Sequence, residues 1–248
     1  MMMSSDQSSG LPFFYIDTIG ATGSVVVVPE ESSRHMIQVL RMDKGAQLRL
    51  TDGKGTEAKA VITEPNKKNT SVQIQSITQH GHSERQHTIA ISLLKNNTRF
   101  EWFLEKCAEL GISRVVPLIC ARTEKQRFRF DRMQAILISA MLQSQQSRLT
   151  ELSEPVRFKN FIAEKFTGEQ SAYKGLIAHC GPGNKSNMLD AAYRSIFHKT
   201  VLIGPEGDFT GEEVALAIQH GYEAISLGST RLRTETAGIV AATLLQST

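Results

Sequence analysis

The sequence predicts an α/β protein, in which a C-terminal domain with a parallel sheet is preceded by a small β-barrel domain. From Thr88 onward, short apolar runs of strand length alternate with segments of helical periodicity. Strands that alternate with helices indicate a parallel sheet covered on both faces. Before residue 79, strand-length runs are joined by turn residues instead, and only one short helix is predicted.

Length and composition limit the class of protein before any motif is considered. The 248 residues suffice for one large or two smaller domains, and 40% hydrophobic residues are usual for a globular protein. The net charge of +3 permits a local nucleic-acid-binding patch without requiring one. No apolar run reaches the length of a membrane span, and the N-terminus lacks the pattern of a signal peptide. We therefore expect no membrane partner.

The cysteines and histidines give no reason to expect a disulfide or a metal site. Three cysteines are widely separated and form no CxxC pair: Cys107, Cys120 and Cys180. Three histidines between residues 79 and 87 lie in a polar stretch without a cysteine or acidic cluster, so we interpret that stretch as a linker. Unpaired thiols fit a reducing compartment. We predict a cytoplasmic protein without a metal.

The N-terminal third is predicted to be mostly β-structure. Residues 1–10 form a polar tail, residues 11–78 the small domain and residues 79–87 the linker. Pro29 opens a helix that runs to about Met42. Strands are predicted at residues 11–16, 24–28, 47–51, 56–62 and 71–77, with a hairpin turn at Asp52-Gly53.

The C-terminal domain, residues 88–248, is predicted as a succession of strands and helices. Strands are expected at residues 88–94, 114–118, 174–179, 201–203 and 224–227, and helices at 97–110, 130–147, 158–166 and 186–197. Gly181–Ser186 lacks the glycines that a P-loop needs, and no GxGxxG follows the first strand. The sequence therefore argues against a Rossmann-type nucleotide site.

The loop after the strand at residues 201–203 is the first candidate for a binding site. Gly204-Pro205-Glu206-Gly207 forces a tight turn that leaves backbone N–H groups available, and Thr210 is placed to cap the next helix. Open α/β sheets bind ligands where a strand runs through such a bend into a helix. An ordinary connection with glycines for turn geometry alone is the alternative at this point.

A second charged segment follows the last predicted strand. After Gly228, the polar residues Ser229–Thr236 lead directly into an apolar helix, which Thr234 or Thr236 can cap. A solvated charge run would continue into a polar helix face. The segment instead places two arginines and a glutamate at the start of a buried helix, and they are candidate functional residues: Arg231, Arg233 and Glu235.

These two segments resemble the RsmE family of 16S rRNA (uracil-N3) methyltransferases, in the SPOUT superfamily. GPEGDFTGEE (204–213) is similar to the family's GPEGGF loop, and LGSTRLRTETAGIVA (227–241) to its LG and LRTETA segments. VLR (39–41), DGKG (52–55), EKCAELG (105–111) and VVPL (115–118) match further family patterns. Three positions depart from the family. Asp208 stands where a glycine is usual, Gln146 where an arginine is expected, with Arg148 as a candidate replacement, and Thr150 where a proline is common.

The resemblance implies a trefoil-knot domain that binds S-adenosylmethionine. Carried over to the matching positions, the cofactor-binding residues are Leu202, Ile203, Gly204, Pro205, Gly207, Leu227, Gly228, Leu232, Thr234, Thr236 and Ala237. Arg233 is the first candidate for stabilising the uracil anion. Either Glu206 or Glu235 is expected to accept the N3 proton, and Glu235 has an alternative role as a partner that holds Arg231 or Arg233.

The resemblance also implies partners. The N-terminal region corresponds to a PUA-like RNA-binding domain, and the expected substrate is the 16S rRNA of the small ribosomal subunit. The candidate RNA contacts are Arg34, His35, Arg41, Lys44 and Lys54 in that domain and Arg231 in the other. SPOUT active sites usually form across a homodimer interface, so we expect a homodimer.

Two alternative functions stay open from the sequence. The first is a SPOUT methyltransferase with another RNA target, such as a tRNA ribose 2′-O position. The second is an rRNA-binding assembly factor without enzymatic activity, which the glycines and arginines of the two loops disfavour. Identification of the methylated product distinguishes the first, and a test of S-adenosylmethionine binding distinguishes the second.

Overall fold

The computed structural model describes residues 10–81, 83–124, 127–164, 172–189, 193 and 196–247. It divides into two compact units, one comprising Met1–His82 with Met141–Leu149 and the other Ser83–Ala140 with Thr150–Thr248. Residues 1–9 of the predicted tail lie outside the described residues. The predicted domain boundaries at residues 78 and 88 stay predictions.

The N-terminal unit is built on a five-stranded sheet with the strand order β1-β3-β4-β5-β2. β1 pairs with β3 in parallel, and the other neighbours are antiparallel. Inward-facing side chains of alternating strand residues, with Met36, form its core. The elements are β1 (Phe13–Tyr15), β2 (Val25–Val27), α1 (Glu30–Arg34), a π-helical turn (His35–Val39), β3 (Gln47–Thr51), β4 (Thr56–Glu64) and β5 (Ser71–Gln79).

The helix of this unit is shorter than predicted. The π-helical turn ends at Val39, whereas the sequence pattern predicted a helix to about Met42. Arg41 has a φ of +53°, a left-handed conformation that a right-handed helix cannot contain. Residues other than glycine rarely adopt this conformation, so the periodicity gave no sign of the helix end.

Residues 141–149, which begin with the last three residues of helix α3 (Phe130–Gln143), belong to the N-terminal unit. The buried Arg49 guanidinium donates to Gln145 Oε1 at 2.6 Å and to the Glu57 carboxylate at 2.8 Å. The Gly55 N–H donates to the Ser147 carbonyl at 2.9 Å. These bonds fix the β3–β4 hairpin. α3 ends at Gln143, before the predicted residue 147, and Gln145 has a φ of +59°, which a right-handed helix cannot contain.

The second unit contains a parallel sheet with the strand order β11-β13-β10-β12-β6-β7-β8, and β9 pairs with β7. Every pairing of these described strands is parallel. The strands are β6 (Gln86–Ser92), β7 (Arg114–Ile119), β8 (Glu151–Leu152), β9 (Val156–Arg157), β10 (Tyr173–Ala178), β11 (Ser186–Asn187), β12 (His198–Ile203) and β13 (Glu223–Ser226). The helices, besides α3, are α2 (Asn97–Glu109), α4 (Phe158–Ala163), α5 (Gly211–Gln219) and α6 (Thr234–Gln246).

Helices cover the parallel sheet because their apolar faces pack against its strands. α4 and α5 bury Phe161 and Ala217 in a core with the central strand residues Ala90 and Leu202. α6 packs against α2, and a Cβ on Gly238 would lie 2.5 Å from Cε2 of Phe103. A glycine there permits the close approach of the two helices. The sequence therefore predicted this α/β architecture correctly.

Three local predictions for this unit are wrong. Ser186–Asn187 form a strand beside β13 instead of the start of a helix, and part of the predicted helix, residues 190–192, 194 and 195, lies outside the described residues. β6 begins at Gln86, two residues before the predicted start of that strand at Thr88. Neither Thr234 nor Thr236 caps α6, since its N-cap is Arg233 without a side-chain cap hydrogen bond.

The described ranges contain neither a membrane-spanning helix nor a cluster of metal-binding side chains. None of the helices described is long and apolar enough to cross a membrane. Groups of three or more histidine, cysteine or acidic side chains that could hold a metal ion are not found among the described residues.

Candidate active site

A cavity of about 500 Å³ lies at the carboxyl ends of β10, β12 and β13. Its volume is within the range of sites that bind small molecules. The lining residues are 178–180, 185, 203–206, 208, 225–234 and 237. Three loops that follow parallel strands therefore converge on one site, as expected for an open α/β sheet.

The loop between β12 and α5 forms one wall of the cavity and is fixed at its far end by α5. Thr210 caps the helix by accepting from the Glu213 N–H at 3.2 Å, and the Glu213 carboxylate accepts from the Thr210 N–H at 2.9 Å. The other carboxylate oxygen of Glu213 accepts from the Ala121 N–H at 2.7 Å. This confirms Thr210 as the predicted cap and also attaches the helix to the loop after β7.

Arg122, which the sequence reasoning missed, supports the same loop. Its guanidinium donates to the Gly207 carbonyl at 2.6 Å, and a Cβ on Gly207 would lie 3.2 Å from Cδ of Arg122. Glycine at 207 thus leaves room for the arginine. This contact joins residues 85 positions apart in the chain. Only the parallel arrangement of β7, β6 and β12 brings these loops together, so no local signal could have identified it.

Most of the predicted cofactor residues line the cavity. They are Ile203, Gly204, Pro205, Leu227, Gly228, Leu232, Thr234 and Ala237. Leu202 does not line it, because alternate residues of β12 face opposite sides and its side chain is wholly buried in the core. Gly207 lies against Arg122, and Thr236 is exposed on α6, so neither is among the lining residues.

The predicted catalytic residues fall into two groups. Glu206 and Arg233 line the cavity and are exposed, as is the predicted RNA contact Arg231. Glu235 is buried and is not a lining residue. Its Oε1 lies 3.6 Å from the Arg99 guanidinium on α2, so the ion pair differs from the predicted one with Arg231 or Arg233. The structure therefore separates the two glutamates that the sequence could not distinguish.

The opposite wall of the cavity was not predicted. His179 and Cys180 follow β10, and Lys185 donates from Nζ to the Gly181 carbonyl at 2.6 Å. Burial and the nearby Lys185 ammonium lower the pKa of the His179 imidazole, while the Asp208 carboxylate opposes that shift. The pairing of Ala178 with Ile203 places this wall beside the β12–α5 loop. The sequence pattern does not show that β10 lies next to β12, so it could not predict that these residues line the cavity.

The predicted RNA contacts of the N-terminal unit are all exposed: Arg34, His35, Arg41, Lys44 and Lys54. Arg34 forms a 2.6 Å ion pair with Glu30, and the His35 ring packs edge-on against Phe14. Lys44 precedes β3 and Lys54 lies in the hairpin that follows it, so these two lysines are at opposite ends of that strand. They are therefore suited to different phosphates rather than to one.

Arg148 does not offer a simple replacement for the arginine expected at position 146. Its guanidinium donates to the His80 carbonyl at 2.7 Å and to the Gly81 carbonyl at 3.2 Å. A Cβ on Gly55 would clash with its Nη2 atom. The arginine thus fastens the chain after β5 within the N-terminal unit.

Two family models match the chain. One is described as an RNA methyltransferase domain and matches residues 82–246, and the other as an RNA methyltransferase PUA domain and matches residues 28–75. Among relatives, the ribosomal RNA small subunit methyltransferase E of Synechocystis sp. is 30% identical over 88% of this chain and 75% of its own length.

Solved structures resemble the whole chain. A probable rRNA-methyltransferase from Porphyromonas gingivalis has a TM-score of 0.84 and 34% identity, and the match covers 96% of this chain and 98% of that one. A ribosomal RNA small subunit methyltransferase E from Neisseria gonorrhoeae, solved bound to S-adenosyl methionine, has a TM-score of 0.84 and 27% identity, with 96% and 97% covered. Both similarities extend through the two units.

Proposed function

Because the chain belongs to the ribosomal RNA small subunit methyltransferase E family, a family of RNA-methylating enzymes, we propose that it methylates N3 of a uridine in 16S rRNA with S-adenosylmethionine. The observation that carries the proposal is the convergence of the glycine loop and the Leu232–Ala237 segment on one cavity. Methyl transfer to rRNA, with the product nucleoside identified by mass spectrometry, tests it.

The cavity fits the proposed cofactor in size and in chemistry. Apolar side chains suited to an adenine ring stand beside exposed loop backbone at Gly228, whose φ is +138°. Glu206 supplies a negative charge that can face the sulfonium or the ammonium group of the ligand, and Lys185 on the opposite wall supplies a positive charge that can face its carboxylate. When bound, the cofactor provides a methyl group that is already activated by its positively charged sulfur. The protein's task is then to align the reacting atoms and to manage one proton.

Arg233 and Glu206 are assigned the two steps at uracil, stabilisation of the anion and removal of the N3 proton. Uracil N3–H is weakly acidic, so its deprotonation places negative charge on the two adjacent carbonyl oxygens. The Arg233 guanidinium can donate to one or both of these oxygens as the charge develops. The Glu206 carboxylate lines the same cavity and is exposed, which suits a group that must reach a base presented from outside. We assign the proton to Glu206 because Glu235 is buried against Arg99.

The substrate base must be exposed before N3 can react. In duplex RNA the N3 proton lies within the base pair, so a target uridine has to be unpaired or flipped. Arg231, exposed at the cavity mouth, is placed to contact the RNA backbone near such a base. The N-terminal unit supplies further exposed cations, which neutralise phosphates without reading the sequence.

Reversing the charge of Lys54 is expected to weaken binding of small-subunit rRNA about tenfold at low salt and to reduce the salt slope by about one. Lys54 is exposed on a hairpin that Ser147 holds rigid. Filter binding of the Lys54→Glu variant across a salt series measures both effects. The Lys67→Glu variant is the matched control, because Lys67 lies beyond the other end of β4, a strand about 26 Å long at 3.3 Å per residue. Equal losses in both variants would refute a specific role for the hairpin.

Deleting the N-terminal third is a poorer test of the same role. Residues 141–149 count with the N-terminal unit and bond to its β3–β4 hairpin. Removing residues 1–80 would leave Gln145 and Ser147 without their partners Arg49 and Gly55. Loss of RNA affinity could then reflect misfolding, whereas a surface charge reversal leaves these bonds intact.

We further propose that the enzyme acts as a homodimer in the cytoplasm. The exposed Trp102 on α2, 44% accessible, supports an apolar contact with a second copy. The relatives are named for an action on ribosomal RNA, which supports the location.

A SPOUT enzyme that methylates tRNA ribose instead would give a 2′-O-methylated product, and a binding protein would give none.

A further inference from the structure

Asp208 occupies a position between the two walls of the cavity. It follows the glycine loop after β12, lines the cavity and is half-buried. Its Oδ2 accepts from the Cys180 N–H at 2.8 Å, and its Oδ1 accepts from the Phe209 N–H at 2.8 Å. The first of these bonds joins the loop after β12 to the loop after β10.

The backbone of Asp208 has a conformation that glycine adopts more easily than aspartate. Its φ is +65°, the left-handed region, which glycine enters freely and which costs other residues free energy. The Asp208 N–H closes the turn by donating to the Pro205 carbonyl at 2.8 Å. Aspartate and asparagine are the side chains that tolerate this conformation best after glycine. The carboxylate must therefore contribute something that a glycine would not.

The sheet places the two loops in register for this contact. β10 and β12 are parallel neighbours, and Ala178 at the end of one pairs with Ile203 at the end of the other. Cys180 lies two residues beyond Ala178, and Asp208 five residues beyond Ile203, at the far side of the turn. A side chain that reaches back is needed to join them, and an ionised carboxylate is a strong acceptor for an N–H group.

The loop after β12 therefore forms hydrogen bonds with the loop after β7 on one side and with the loop after β10 on the other. On the β7 side, Arg122 donates to Gly207 and the Ala121 N–H donates to Glu213. On the β10 side, the Cys180–Asp208 bond connects two walls that both line the cavity. Loss of this bond would free the β10 loop while leaving the β7 attachment intact.

We propose that Asp208 is a positioning residue that sets the affinity for the methyl donor by fastening the β10 loop to the β12 loop. The hydrogen bond to the Cys180 N–H holds the two cavity walls at one spacing before the ligand arrives, so binding does not have to order them. The inference rests on the proposed function for the identity of the ligand. The bond itself is a property of the protein alone.

Two variants distinguish the effect of the Cys180–Asp208 hydrogen bond from the effects of the negative charge and of backbone strain at residue 208. Asp208→Gly removes the acceptor while keeping a residue that accepts the left-handed backbone. Asp208→Asn removes the charge and one of the two acceptors in a residue that tolerates the same conformation. Its one side-chain oxygen can still accept from the Cys180 N–H, while the Phe209 N–H loses its partner. Both are expected to fold, because neither strains the turn.

We expect the affinity for the cofactor to fall when residue 208 has no side-chain acceptor for the Cys180 N–H, and to be kept when it has one. Calorimetry should show S-adenosylmethionine binding about tenfold weaker in Asp208→Gly and within about threefold of wild type in Asp208→Asn. The KM for the methyl donor should rise in the glycine variant, while kcat at saturating donor changes by less than about twofold. Unchanged affinity in Asp208→Gly would overturn the proposal, as would an equal loss in both variants, which would assign the effect to charge.

Amide hydrogen exchange tests the bond without any ligand. The Cys180 amide should lose protection in Asp208→Gly and keep it in Asp208→Asn. The Ala121 amide, bonded to Glu213 on the other flank, is the internal control and should not change. Equal Cys180 exchange in wild type and Asp208→Gly would refute the fastening. A wild-type protein that binds no S-adenosylmethionine would refute the proposed function instead, and the exchange result would still stand.

Discussion

Replacing Arg233 with alanine is expected to lower kcat about 10²–10³-fold while the Kd for S-adenosylmethionine changes by less than about threefold. The guanidinium lines the cavity and is exposed, so it can reach the oxygens of a uracil anion. Removing a donor aimed at developing charge affects the transition state more than the bound ground state. Single-turnover methylation at saturating enzyme and cofactor measures this step directly.

Arg231 provides the matched control for Arg233. It is also exposed, lines the same cavity and lies two residues away. We expect Arg231→Ala to raise the KM for rRNA and to leave the single-turnover rate at saturating RNA within about threefold of wild type. If Arg233→Ala keeps full activity, or if the two variants behave alike, the assignment of Arg233 to the uracil anion is wrong.

The second large effect is expected at Glu206. Glu206→Gln keeps the shape of the side chain but removes its ability to accept a proton, and we expect kcat to fall about 10²-fold. The activity that remains should increase with pH, since hydroxide can then remove the N3 proton in place of the carboxylate. A pH series of single-turnover rates for wild type and variant checks both statements.

Glu235→Gln is the comparison that tells the two glutamates apart. Glu235 is buried, pairs with Arg99 on α2 and does not line the cavity. We therefore expect the kcat of the Glu235→Gln variant to stay within about threefold of wild type, because the Glu235 carboxylate takes no part in proton transfer. The reverse pattern, with Glu235→Gln inactive and Glu206→Gln active, would transfer the proton-accepting role to Glu235.

The strands and helices of the site could be predicted because each carries a local signal. Val201-Leu202-Ile203 is a short apolar run, the glycines after it specify a turn, and Thr210 with Glu213 forms a capping box. The apolar residues after Thr236 likewise indicate a buried helix. Local propensity and tertiary packing agree at these positions, so pattern and structure coincide.

The parts that escaped prediction depend on contacts between distant residues or on rare backbone conformations. β8, β9 and β11 have two residues each, too few to show any periodicity. Arg122 and Cys180 reach the glycine loop only because their strands lie near β12 in the sheet. Helix ends near Arg41 and Gln145 follow from positive φ angles that non-glycine residues seldom adopt.

Similarity to a family marks whole segments of sequence, and those segments include Leu202 and Glu235, whose side chains face the core or α2. The roles predicted for these two residues stay predictions. A segment at a site contributes only those side chains that its local geometry turns toward the ligand. Burial in the structure supplies this distinction for each residue.

Methylation of small-subunit rRNA by the wild-type protein is the most direct test of the proposed function. The protein would be incubated with labelled S-adenosylmethionine and either small ribosomal subunits or naked 16S rRNA, and the RNA then digested to nucleosides for mass spectrometry. We expect the label in N3-methyluridine alone. Label in another nucleoside, or none in any nucleoside, would contradict the proposed reaction.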